Sequence, residues 1–94
     1  MSDIQVRVTP ADDGYLAEVT VRDRGREERH RVRVPRAALE RLAPRADAEA
    51  LVRASFAFLL EREPKESILR EFDIVVIARY FPEYPEEIRR RLGV

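Results

Sequence analysis

The chain has 94 residues, 45 % hydrophobic and 38 % charged, with 18 Lys and Arg against 18 Asp and Glu, a formal net charge of zero. It holds one histidine, no cysteine and no tryptophan, which excludes disulfides, thiolate nucleophiles and cysteine-ligated zinc. Leu, Ile, Val and Phe together make 27 residues, enough for the core of one domain spanning 1–94.

The longest large-apolar run, Ile74-Val75-Val76-Ile77, falls far short of the roughly 18 residues of a membrane span. Met1-Ser2-Asp3 opens no secretory signal. The expectation is a soluble, cytoplasmic protein without membrane contact. The positive charge is carried by 17 Arg and a single lysine, Lys65. A high-GC coding bias explains that preference; the planar guanidinium grip on carboxylates and phosphates is the functional alternative.

Residues 1–35 read as strands. Ile4, Val6 and Val8 alternate with Gln5, Arg7 and Thr9, and Tyr15, Ala17, Val19 and Val21 alternate with Leu16, Glu18, Thr20 and Arg22. In the third run His30, Val32 and Val34 alternate with Arg29, Arg31 and Arg33. Period two means one buried face and one wet face. Pro10–Gly14 makes the first turn and Arg24-Gly25 the second. A two-residue turn at Arg24-Gly25 pairs Asp23 with Arg26, Val19 with His30 and Ala17 with Val32, always like face with like face. The expected fold is α+β: a three-stranded antiparallel meander followed by several helices on one face.

After Pro35 the period changes. Arg36–Leu42 reads as a short helix with Pro35 in its first turn. Asp47 is the natural N-cap of a helix over Ala48–Glu63, whose Leu51, Val52, Ser55, Phe56, Phe58 and Leu59 form an apolar face that Pro64 ends. Lys65–Phe72 carries Ile68, Leu69 and Phe72 at helical spacing. Asp73 caps a segment Ile74–Phe81 that fits a helix or, by its branched run, a strand. Pro85–Leu92 closes the chain as a helix, acidic at its start, basic at its end and stopped by Gly93.

No catalytic constellation emerges. His30 has no second histidine or cysteine to share a metal with, and it reads as a packing residue. Ser55 returns its hydroxyl to the helix backbone. The acids Glu61, Glu63, Glu66, Glu71 and Asp73 alternate with Arg62, Lys65 and Arg70 as in a salt-bridged solvent face. The three glycines are isolated, so no phosphate loop exists. No cofactor or metal is implied.

Two features suggest contact with a partner. The wet sheet face carries Arg7, Arg22, Arg29, Arg31 and Arg33 against Glu18 and Glu27, and Thr20–Arg36 is net positive. Tyr80 and Tyr84 bracket a rigid aromatic segment with arginines close by, the composition of an interface anchor. The expected function is a non-catalytic protein-interaction or assembly module, its partner another protein or a second copy of the chain. Nucleic-acid binding through the arginine face is the alternative, although that face lacks base-stacking aromatics.

The segments Phe58–Pro64, Ser67–Leu69, Phe72–Ile74 and Arg79–Tyr84 resemble short uncharacterised prokaryotic proteins that share this C-terminal pattern; no activity comes with the likeness. Asp12-Asp13-Gly14-Tyr15-Leu16-Ala17-Glu18-Val19 is similar to the first hairpin of HicB-type antitoxins, which also place strands before a helix. The chain departs from them in lacking a Pro-Gly segment after the hairpin and in delaying the long helix by Arg36–Ala46. That resemblance implies a toxin as the protein partner.

Overall fold

A computed structural model describes residues 3–93. Strands β1 (Asp3–Ala11), β2 (Gly14–Asp23) and β3 (Arg26–Pro35) form the expected antiparallel meander. The register across Arg24-Gly25 is the expected one, with Asp23 opposite Arg26, Val19 opposite His30 and Ala17 opposite Val32. Arg24 and Gly25 have φ of 54° and 77°, the two positive values a type I′ turn requires. At the first turn Gly14 has φ of 148°, and a Cβ there would stand 2.2 Å from the Val34 carbonyl oxygen. Only glycine lets β2 and β3 approach at that corner.

The helical half begins with α1 (Arg36–Leu42) and α2 (Ala48–Leu60). Asp47 caps α2 by accepting from the Ala50 amide at 2.8 Å. The helix stops at Leu60, short of Glu63, because the Arg62 amide turns back to the Leu59 carbonyl in a tightened final turn. Pro64 forbids a helical continuation.

The next segment corrects the sequence reading. Lys65–Ser67 is a single 3-10 turn, not the start of a helix to Phe72. The chain then extends, and Glu71–Asp73 forms β4, parallel to β3 with Arg31, Val32 and Arg33 opposite Glu71, Phe72 and Asp73. The sheet is therefore four-stranded and mixed, in the order β1-β2-β3-β4, rather than three-stranded and antiparallel. Two hydrogen bonds draw the segment out of helical geometry. The Arg31 amide donates to the Arg70 carbonyl at 2.7 Å, and His30 Nδ1 lies 2.8 Å from the Leu69 carbonyl. A strand this short shows no alternation, and its partner lies some forty residues away, so local spacing gives no sign of it.

Asp73 caps the following turn by accepting from the Val75 amide at 3.0 Å. Ile74–Val76 is 3-10 and Ile77–Tyr80 is the short helix α3, which resolves the segment as helix rather than strand. The last helix, α4 (Tyr84–Leu92), starts one residue before Pro85 and ends on Gly93 in the left-handed conformation.

The helices bury the inner sheet face. Ala17, Val19, Val21, Val32 and Val34 meet Leu51, Val52 and Phe56 from α2, and Ile88 and Tyr84 from α4 close the far side. Arg62 at the end of α2 stacks 3.6 Å from the Phe58 ring centroid and pairs with Glu83 at 3.3 Å. Arg91 of α4 returns to Glu61 at 2.5 Å. These contacts tie α2 to α4 over an aromatic cluster, a use of the flat guanidinium that lysine does not match.

Candidate interaction surfaces

The five arginines of the wet sheet face do come together. Arg7 stands on β1, Arg22 on β2, and Arg29, Arg31 and Arg33 on β3, all exposed and on one side of the sheet. Arg7, Arg29 and Arg31 line a shallow depression of about 580 Å³ together with Gln5, Glu18 and Thr20. The face is not lopsided in charge, however. β4 adds Glu71 and Asp73 beside Arg31 and Arg33, and β1 begins with Asp3 opposite Arg22. With Glu18 and Glu27, these acids match the five arginines one for one. Sequence reasoning missed Glu71 and Asp73 because it missed β4.

Several of these charges are already paired. Arg22 Nη2 reaches Glu27 Oε1 at 2.6 Å, and Arg29 reaches the other Glu27 oxygen at 3.3 Å. The Arg22 hydrogen bond, partly opposed by desolvation, holds the Glu27 carboxyl below its usual range. Arg31 lies 3.9 Å from Glu71. These exposed pairs contribute little to stability, but they lower the field that a polyanion would feel.

The aromatic pair divides. Tyr84 has no exposed surface. Its ring packs edge-on to Phe58 at 5.4 Å, and its hydroxyl lies 2.6 Å from Ser55 Oγ. Ser55 spends its single proton on the Leu51 carbonyl at 2.7 Å, so Tyr84 is the donor to Ser55. Tyr84 is thus a core residue, contrary to its reading as an interface anchor. Helical spacing from Ile88 turns it inward.

Tyr80 is the opposite case, 68 % exposed, and Leu69 is 49 % exposed. They are the two large apolar side chains so exposed among the described residues, and both line one groove of about 430 Å³. Its floor is Leu59, Ile68, Phe72, Ile77 and Phe81, from the end of α2, the 65–72 segment and α3. Glu63, half-buried on the same lining, enters no ion pair among the described residues. Leu69 escaped sequence reasoning because a helix over Lys65–Phe72 aligns it with Ile68 and Phe72. The extended backbone instead points Ile68 inward and Leu69 out.

His30 is 1 % exposed and packs against Phe56 at 5.2 Å. Its Nδ1–H serves the Leu69 carbonyl, and Nε2 is enclosed without a partner. It is a packing residue that pins the 68–70 segment to β3, as expected of its inward position. Among the described residues, no three His, Asp or Glu side chains converge as metal ligands.

Among the described residues no helix is long and apolar enough to cross a membrane. Compared with family models, curated proteins and solved structures, the chain matches none.

Proposed function

We propose that the protein is a non-catalytic protein-interaction module whose binding surface is the Leu69–Tyr80 groove. One observation carries the reading: the most exposed large apolar side chains stand together over one apolar hollow. Contiguous exposed apolar surface is the usual mark of a partner site. The unpaired Glu63 on the lining selects a partner segment with an apolar anchor next to a basic residue. Burying Leu69 and Tyr80 contributes about 2 kcal/mol each, so losing both weakens binding by at least about 100-fold.

An antitoxin-like partnership is one form of this reading, with a small toxin supplying the segment. Nucleic-acid binding is the weaker alternative, since acids match the arginines of the sheet face.

The test is photo-crosslinking in cells from position 80 and, separately, from position 33 on the sheet face. A discrete protein adduct from position 80 is expected, with the adduct lost on Leu69→Ser. Equal labelling from both positions, or nucleic acid captured at position 33 alone, would refute the reading.

A further inference from the structure

We propose that β1 is a second docking surface and that its occupant is another copy of this chain, paired antiparallel across a two-fold axis at Val6. This interface is separate from the groove and stands or falls without it.

The argument starts from the backbone. Among the described residues β1 is the edge of the sheet, with β2 on one side and no strand on the other. The β1–β2 turn is closed by Ala11 and Gly14. Antiparallel pairs alternate between hydrogen-bonded and non-bonded positions. Counting back from that closing pair, Asp3, Gln5, Arg7 and Thr9 bond to β2. The N–H and C=O groups of Ile4, Val6 and Val8 therefore point to the open side. A side-chain contact agrees: Arg53 Nη1 donates to the Ile4 carbonyl at 2.5 Å from that side.

A nine-residue edge with open backbone groups is a template for another strand. Protection is confined to its ends. Pro10 lacks an N–H at one end, and Arg53 covers one carbonyl at the other. Between them Ile4, Val6 and Val8 are only half-buried, although they pack against the core.

The strand is complementary to itself. With Val6 on the axis, Ile4 faces Val8 of the second copy and Val6 faces its own counterpart. Each such pair exchanges both N–H···O bonds. On the outer face Gln5 lies opposite Arg7, and Asp3 lies diagonal to the second Arg7, within reach of a long side chain. An axis at Arg7 instead sets two guanidinium groups opposite each other, and an axis at Val8 sets Val6 against Pro10, which has no N–H. On pairing, Val8 of the second copy takes the Ile4 oxygen. Arg53 then keeps its helix partner Glu49, 3.3 Å away.

The test is sedimentation of the full chain across a concentration series, with two variants. Val6→Pro removes an N–H that β2 does not use, so it leaves the intrachain ladder intact. It deletes both hydrogen bonds on the axis and inserts a ring into the contact, and is expected to raise the dimer dissociation constant by about 100-fold. Val6→Cys places the chain's single thiol on the axis, and mild oxidation is expected to give a covalent dimer. Tyr80→Cys is the control for association through the groove. A wild-type chain that stays monomeric at every concentration would overturn the proposal. So would a folded Val6→Pro chain that dimerises like wild type, or a covalent dimer from Tyr80→Cys and none from Val6→Cys. If Val6→Pro does not fold, the two cysteine variants decide.

Discussion

Tyr84 offers the sharpest test of the core. Burial pushes its phenol from the ordinary value of 10.0 up to about 12. An unfolded chain releases the Tyr84 proton near pH 10, whereas the folded chain keeps it until near pH 12. Between these values the folded state binds more protons, so stability falls as pH rises. At about pH 11 the loss from this one group is about 1.4 kcal/mol, approaching roughly 2.7 kcal/mol once both states ionise. The assay is urea unfolding at several alkaline pH values for wild type and Tyr84→Phe. At neutral pH the variant loses one neutral hydrogen bond, about 1 kcal/mol, while Ser55 still bonds Leu51. Its stability is then expected to decline less steeply with pH, so that the two curves converge or cross. Parallel curves would refute the burial argument.

Other expectations follow from single contacts. Gly14→Ala meets the Val34 oxygen and a forbidden φ, and is expected to cost at least about 3 kcal/mol in urea unfolding. Asp47→Ala and Asp73→Ala each remove a cap and are expected to cost about 1 kcal/mol. Arg91, opposed by desolvation, holds the exposed Glu61 carboxyl below its usual range. That contribution is present above the ordinary carboxylate value and lost as pH falls below it. Arg91→Leu is therefore expected to flatten the acid limb of the stability curve.

Much of the fold is legible in the sequence where the signal is local. Strict alternation and one glycine turn fix the β2–β3 register down to individual pairs. Asp47 and Asp73 announce helix starts because a short carboxylate satisfies amides that a helix leaves free. The inward turn of His30 follows from its parity with Val32 and Val34. What stays hidden depends on contacts distant in sequence. β4 exists because β3 offers an open edge, and Leu69 and Arg70 accept its hydrogen bonds. No property of Lys65–Phe72 alone signals that.

The consequences reach the candidate surfaces. Placing Glu71 and Asp73 beside Arg31 and Arg33 removes the charge excess that had singled out the sheet face. Extending the 68–73 segment exposes Leu69 next to Tyr80 and creates the groove. Tyr84, equally aromatic and only four residues further on, begins the separate helix α4 and belongs to the core. Composition places both tyrosines near an interface; helix geometry separates them.

The most direct measurement is the affinity of the protein captured at position 80 for three purified chains. These are wild type, Leu69→Ser/Tyr80→Ser and Arg29→Glu/Arg31→Glu/Arg33→Glu. The expected result is binding weakened by at least about 100-fold in the groove variant and kept in the sheet variant. Binding kept in the groove variant and lost in the sheet variant would contradict the central claim.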